Sequence, residues 1–424
     1  MIFIKKKSNF AEIFVSLQSM SDEKTIRQPL DFEEYIRAGE PQKRERAYAW
    51  RTAIGLQAVD GLTVSDYLKE TARRNIEGEI TIDEAKKLIK TYYQSKTKRE
   101  PDDDEKQEAD QVSVNITEIL NSPSFTFSIT GLSGIHRQIF EGTFKFAGQF
   151  RQYDITKKEW VLRGDTVLYA PWQDIREALQ YDLEQERQFL YDNLTMDQVA
   201  EHIAKFVSGI WQIHPFAEGN TRTTAVFTVK YLRSLGFQIG NELFSEHSWY
   251  FRNALVRANY QNVQKGITYD YTYINRFFDN LLLGEEHVLR NRYLIIEPNE
   301  ELKREWEEIL ADEQTRKTTP ATTPATTPAT TPASPRNMFW TDNEKILNLI
   351  KSIGNHQLSI KEMLAAVGLK DRMNFIDYTL NPAIKEGFVK QLYPDNPHHP
   401  RQKYLLTVKG VALLNELENT INTN

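Results

Sequence analysis

Between Thr195 and Ile213 the apolar residues Val199, Ala200, Ile203, Phe206, Val207 and Ile210 recur at helical spacing, with polar residues between them. Thr195, followed three residues on by Gln198, predicts a capping box at the start of that helix. The same spacing runs through Thr223–Leu235 and stops at Gly236, a residue type that ends helices well. One pattern breaks from this helical background: EWVL and TVLY flank Arg163-Gly164-Asp165 and predict a β-hairpin. Towards the end, helices are expected over Asp342–Ile353, Ser359–Val367 and Asn374–Glu386, with Pro382 kinking or interrupting the third. FVKQLYP and QKYLLT then flank a Pro-rich tip and predict a second hairpin. The fold class expected is mainly α.

Polar stretches divide the chain. From Thr318 to Ala333 the unit TTPA repeats four times, a composition that forms an extended tether rather than a core. The stretch from Gln94 to Gln111 is highly charged and nearly free of apolar residues, and is expected to be a softer joint. The expected organisation is an N-terminal helical segment (1–100), a main domain (111–310), a Thr/Pro linker (311–337) and a C-terminal domain (338–424).

Composition narrows the function classes. A hydrophobic fraction of 40% and an aromatic fraction of 11% suit a well-filled core. A formal net charge of −6 argues against a chain built to coat nucleic acid. No apolar run approaches the roughly 18 residues of a membrane span, and the start, with its early basic cluster, does not read as a secretory signal. Met20 is an alternative start. With no cysteine there is neither a disulfide framework nor a thiolate nucleophile. The expectation is a cytoplasmic protein with no membrane partner.

Between the two strongest helical patterns lies His214-Pro215-Phe216-Ala217-Glu218-Gly219-Asn220-Thr221-Arg222. Gly-Asn lets the backbone turn tightly. The following helix offers free amides and a dipole to an anion. Arg222 adds a guanidinium fork suited to phosphate, Glu218 a hard oxygen ligand for Mg2+, and His214 a proton acceptor near neutral pH. Together these are the parts of a phosphoryl or nucleotidyl transfer onto an acceptor that loses a proton.

The nine-residue string resembles the signature of the Fic family, HxFx(D/E)GNxR, at every defining position. The likeness extends from about Ser133 to Leu289 through IHRQIFEGTFKFAGQFR, the hairpin, the signature and HSWYFRNALVRANYQN. It implies a Fic-type helical core with a β-hairpin flap, and a protein adenylyltransferase moving AMP from ATP to a Ser, Thr or Tyr hydroxyl of a protein, itself included. In those terms His214 is the general base, and Glu218 holds Mg2+ against the α- and β-phosphates. Gly219, Asn220 and Thr221 form the anion nest, Arg222 faces the departing pyrophosphate, and Phe216 anchors the loop. Val161, Leu162, Arg163 and Gly164 belong to the flap, which docks the target's backbone on an exposed edge. Thr221 replaces the commonest second Gly, and Ala225 stands where many AMP-transferring members carry a second Arg. That departure leaves open another nucleotide or phosphate donor, or the removal of AMP.

Ala49 to Tyr93 resembles the helical antitoxins that accompany some Fic enzymes, whose Glu blocks the second Arg. Asp60-Gly61 stands at the Glu-Gly place, but Leu56 replaces the Ser or Thr and the Arg is absent, so the acidic brake is expected to lack its partner. Residues 338–424 resemble a winged helix-turn-helix. With eight Lys and two Arg against four Asp and five Glu, that module lacks the basic face of a DNA reader. Its partner is either protein or DNA, the latter making the chain a DNA-binding regulator with a non-catalytic Fic domain. A homodimer is left open. His398 and His399, at the tip of the second hairpin, read as solvated.

Overall fold

The computed structural model describes residues 32–239, 242–318, 340–394, 396–397 and 399–422. Met20, most of the Thr/Pro tether and His398 lie outside them. Within the described residues three apolar cores form.

The N-terminal core is built by α1 (Glu33–Ala38), α2 (Pro41–Gly55), α3 (Asp66–Glu77) and α4 (Ile82–Ser95). Ser65 caps α3, and the Thr81/Glu84 capping box starts α4. Between α2 and α3 a 3-10 turn, Leu56–Asp60, ends at Gly61 with φ 71°. The charged stretch expected to be a joint holds the non-helical residues 96–102 between α4 and α5 (Asp103–Asn121), and its second half is the start of α5. Asp103, Asp104 and Glu105 sit in its first turn, where the helix dipole favours acids. Asp110 is fully buried and accepts hydrogen bonds from Ser65 N, Ser65 Oγ and Tyr93 Oη, which join the N-terminal core to α5.

The main core gathers α5, α6 (Ile129–Ile139), α7 (Ile175–Gln188), α8 (Met196–Ile213) and α9 (Asn220–Ser234). It continues through α10 (Glu242–Glu246), α11 (Ser248–Ala258) and α12 (Thr272–Phe278) to α13 (Glu300–Thr318). The expected capping box of Thr195 and Gln198 is present, and Val199, Ala200, Ile203, Val207 and Ile210 are buried as the spacing requires. Helix α13 runs past residue 310, so the expected start of the linker is helical.

The segment expected as a flap hairpin doubles back without a strand ladder. Glu159 N donates to Asp165 O at 2.9 Å and Gly164 N to Glu159 O at 2.9 Å, around a single 3-10 turn, Trp160–Leu162. Its apolar positions are anchors rather than an exposed edge. Val161 and Leu162 are buried, Val161 O accepts from Ile296 N, and Arg163 donates to Ile296 O and Glu297 O.

The C-terminal module holds α14 (Glu344–Ile353), α15 (Ile360–Ala366), α16 (Arg372–Phe375) and α17 (Asn381–Lys385). The third expected helix is interrupted just before Pro382: a π turn, Ile376–Leu380, separates α16 from α17, and Pro382 falls in the first turn of α17, where a missing amide costs least. The second hairpin forms, β1 (Val389–Gln391) against β2 (Tyr404–Leu406), antiparallel, with Val389 opposite Leu406. A last helix, α18 (Val408–Asn422), lies beyond the expected elements. It docks the module on the main core. Ala412 joins that core, Asn415 Nδ2 donates to Leu194 O at 2.9 Å, and Lys409 N donates to Leu235 O at 3.4 Å. A Cβ on Gly387 would lie 2.1 Å from Gly236 O, so at this seam backbone meets backbone.

Candidate functional site

Helix α8 ends at Ile213, and His214 follows in the left-handed region with φ 50° and ψ 59°. For a residue other than Gly that conformation is costly and needs support from its surroundings. Arg151 supplies it. Its guanidinium donates to His214 O at 2.8 Å, Ile213 O at 3.3 Å, Tyr153 O at 2.8 Å and Ala170 O at 2.5 Å, and its own amide donates to Pro215 O at 2.9 Å.

Two further residues fix the loop. Asn220 clamps it across itself: Phe216 N donates to Asn220 Oδ1 at 2.9 Å and Asn220 Nδ2 to Phe216 O at 2.8 Å. Beneath, His136 is fully buried and stacks on Phe216 with centroids 3.7 Å apart. Its Nδ1 accepts from Gly148 N at 2.8 Å, so Nε2 carries the proton and donates to Glu218 O at 3.1 Å. Burial pushes the His136 pKa down to about 4, so the ring is a neutral strut. Gly219, with φ 76°, could carry no side chain, since a Cβ would lie 2.2 Å from Phe140 Cζ.

His214 itself is 2% exposed, its ring between Tyr169 (4.2 Å) and Trp211 (5.1 Å). Its Nδ1 lies 3.3 Å from Trp211 O, which accepts the proton on that nitrogen, while Nε2 is buried with no partner. Burial, reinforced by Lys157, holds its pKa well below the usual range, so the imidazole is neutral with a free lone pair. Tyr169, which flanks it, donates to Glu159 Oε1 at 3.3 Å. Buried Glu159 is gripped by Arg252, NH1–Oε2 2.7 Å and NH2–Oε1 3.0 Å.

Helix α9 begins at Asn220 and has no side-chain cap, so its first amides remain available to an anion. Thr221 turns its hydroxyl inward and accepts from Trp211 Nε1 at 3.0 Å, an anchor that Gly could not provide. Arg222 is 1% exposed and lies among three side chains. NH1 donates to Gln57 Oε1 at 3.0 Å and NH2 to Glu108 Oε1 at 2.9 Å, while Nε makes an ion contact with Asp60 Oδ2 at 2.7 Å. The expectation that Asp60 lacks a cationic partner is therefore corrected. The 3-10 turn carries its carboxylate to the signature Arg itself. Gly61 N closes that turn on Ala58 O at 3.0 Å.

Glu218 is the loop's carboxylate, and its nearest partner is Lys157, Nζ–Oε1 3.4 Å. Among the described residues no group of three or more His, Asp or Glu could hold a metal by itself. A single half-exposed carboxylate beside a phosphate cradle suits Mg2+, which takes one or two carboxylates and completes its shell with phosphates and water.

The structure thus gathers His214, Glu218, Gly219, Asn220, Thr221, Arg222 and Asp60 around one loop, while Val161 and Arg163 bond to Ile296 and Glu297. Sequence reasoning assigned no role to His136, Lys157, Glu159, Arg151, Glu108 or Arg252. His136 and Arg151 lie within the stretch that carries the family likeness, yet only the folded contacts show what they hold.

Parts of the chain are similar to known proteins. Residues 126–232 match the Fic/DOC family, and residues 344–407 match the C-terminal domain of Fic-like proteins (filamentation induced by cAMP). A protein adenylyltransferase of Bartonella henselae is 26% identical over 142 residues, 31% of this chain and 26% of that protein. A probable protein adenylyltransferase Fic of Escherichia coli K12 is 28% identical over 120 residues, 28% of this chain and 56% of that one. The match therefore spans about a quarter of the first relative and just over half of the second. Among solved structures, a Fic family protein of Desulfovibrio desulfuricans aligns over 94% of this chain and 95% of its own at 16% identity and a TM-score of 0.37. The BepC protein of Bartonella tribocorum, solved with AMPPNP, aligns over 43% of this chain and 87% of its own at 20% identity and a TM-score of 0.34.

Proposed function

From a chain that carries a Fic/DOC domain, we propose an enzyme that moves AMP from ATP to a hydroxyl of a protein Ser, Thr or Tyr, its own included. The observation that carries this reading is the unpaired, buried Nε2 of a neutral His214 beside a helix N-terminus and a guanidinium. The acceptor oxygen attacks the α-phosphorus as its proton passes to His214 Nε2, and the bond from that phosphorus to the pyrophosphate oxygen breaks. Trp211 O holds the His214 Nδ1 proton, which keeps Nε2 free for this task. The first amides of α9 and Arg222 receive the phosphate charge, with Arg222 leaving Asp60 and Glu108 to do so. Glu218 would hold Mg2+, which supplies charge neutralisation on the phosphates when bound.

Val161 and Leu162 serve as buried anchors. The target backbone docks beyond them, along Thr166–Leu168, where Leu168 is 81% exposed. The C-terminal module, with Leu369, Met373 and Tyr378 exposed, is read as contacting protein rather than DNA. No helix among the described residues is long and apolar enough to cross a membrane.

The test is incubation of the full chain, Mg2+ and a protein mixture with ATP labelled on the α-phosphate. Label enters protein with the wild type and disappears with His214→Ala, while ATP labelled on the γ-phosphate gives none. Equal labelling by His214→Ala overturns the reading.

A further inference from the structure

We propose, resting on the transfer just described, that Lys157 is a further catalytic residue: its ammonium leaves Glu218 when the donor arrives and holds a non-bridging oxygen of the phosphorus under attack. The first ground is how the site's cations are used. Arg151 is spent on four carbonyls, Arg252 on both oxygens of Glu159, and Arg222 on Gln57, Glu108 and Asp60. Lys157 alone among these is weakly held, by one contact of 3.4 Å to Glu218, with side chains 29% and 40% exposed. Such a pair contributes little to stability, and an ammonium has three donors to offer.

The second ground is placement. The Lys157 backbone is fixed by a hydrogen bond from its amide to Thr166 Oγ1 at 3.3 Å, and two residues on Glu159 is buried and gripped by Arg252. A rooted backbone with a loosely held tip gives a side chain that reaches one small region, between the loop's carboxylate and His214.

The third ground is charge. Lys157 weighs on His214 more than any other side chain does, in the direction that opposes protonation. A base that must accept a proton beside a cation works only if an anion arrives to screen them. In this transfer that anion is the phosphoryl group whose attacker His214 deprotonates. With Glu218 committed to Mg2+, it would no longer hold the ammonium, and the same phosphoryl group would be the anion within reach. In the step itself the acceptor O–P bond forms, the P–O bond to pyrophosphate breaks and the proton goes to His214. Lys157 exchanges no proton and offsets charge on the phosphorus oxygens.

The experiment uses the full chain, with Lys157→Gln and Lys157→Arg beside the wild type. Transfer of α-labelled AMP gives kcat and KM, calorimetry gives the affinity for ATP without metal, and Mg2+ binding is titrated separately. Lys157→Gln is expected to lower kcat about 100-fold, the lower end of the loss when one donor to the transition-state charge is removed. It is also expected to weaken metal-free ATP binding, with an unchanged melting temperature. Lys157→Arg recovers at least part of both. An unchanged kcat and ATP affinity with tighter Mg2+ binding would show that Lys157 only shields Glu218 and overturns the proposal. Equal losses in both variants with a lowered melting temperature overturn it too, in favour of a structural role. If the wild type binds ATP and labels protein while Lys157→Gln matches it, this proposal alone falls. If the wild type neither binds nor labels, the parent reading falls with it.

Discussion

Asp60→Asn should make the protein less stable and a better binder of nucleotide at the same time. Arg222 is 1% exposed and divides its guanidinium among Gln57, Glu108 and Asp60. At 2.7 Å and an effective dielectric near 20, the Asp60 contact has a gross Coulomb value of about 6 kcal/mol, most of it offset by desolvation of the two charges. Asp60 is 28% exposed and Glu108 stays behind to neutralise Arg222, so the net loss on substitution is about 1 kcal/mol. That corresponds to a melting temperature lower by about 2–4 °C in a body of this size.

A phosphate arriving at Arg222 also meets the Asp60 carboxylate. Removing one unit charge at roughly 5–6 Å is worth about 1.5–3 kcal/mol after screening, a ten- to hundredfold gain in affinity. Calorimetric titration of the full chain with ATP and Mg2+, alongside thermal melts, reads both quantities. Glu108→Gln should move them in the same directions. The two effects should not add, because both carboxylates act on one guanidinium. In an Arg222→Gln background Asp60→Asn should gain far less. Affinity falling together with the melting temperature in Asp60→Asn would refute the reasoning, because the carboxylate would then be helping the nucleotide rather than competing with it.

Acid should loosen the main core through His136. Its pKa lies at about 4 in the fold against an ordinary 6.5, so its contribution is complete above about 6.5 and is lost as pH falls from there towards 4. The loss is about 2 kcal/mol at pH 5, seen as a fall in melting temperature that flattens in His136→Gln. Gly219→Ala should cost about 2–4 kcal/mol and abolish transfer, because the new methyl would enter the Phe140 ring at a positive φ. Gly266→Ala, at φ 66° with open space around it, is the matched control and should cost about 1 kcal/mol in a melt. Equal losses in these two variants would show that backbone strain, and not the ring, sets the requirement for Gly219.

Local rules made the helical frame legible. The capping box at Thr195 and the apolar face of α8 are decided within a few residues, and the chain follows them. Helix α9 begins at Asn220 rather than Thr223 because Gly219 takes the left-handed turn inside the signature itself. Where the reading failed, the deciding partner was distant. EWVL and TVLY carry the β-branched and aromatic residues that strands favour, but Val161 bonds to Ile296 and not across the turn. Asp60 finds Arg222 only because α5 and the 3-10 turn meet at α9, which no spacing rule contains. The signature residues could be read as a set because nine consecutive positions hold most of the chemistry. Lys157, Glu159 and Arg252 could not, since their meaning lies in what the fold sets beside them.

The backbone seam at Gly236 and Gly387 carries a thermodynamic consequence. Any ligand of the C-terminal module that needs the surface around Gly387 or Asn415 competes with the core for it, so it binds the full chain more weakly than the free module, by the fraction of undocked molecules. Linkage makes the effect reciprocal. Whatever frees the module also releases the far end of α9, about 22 Å from its first amides.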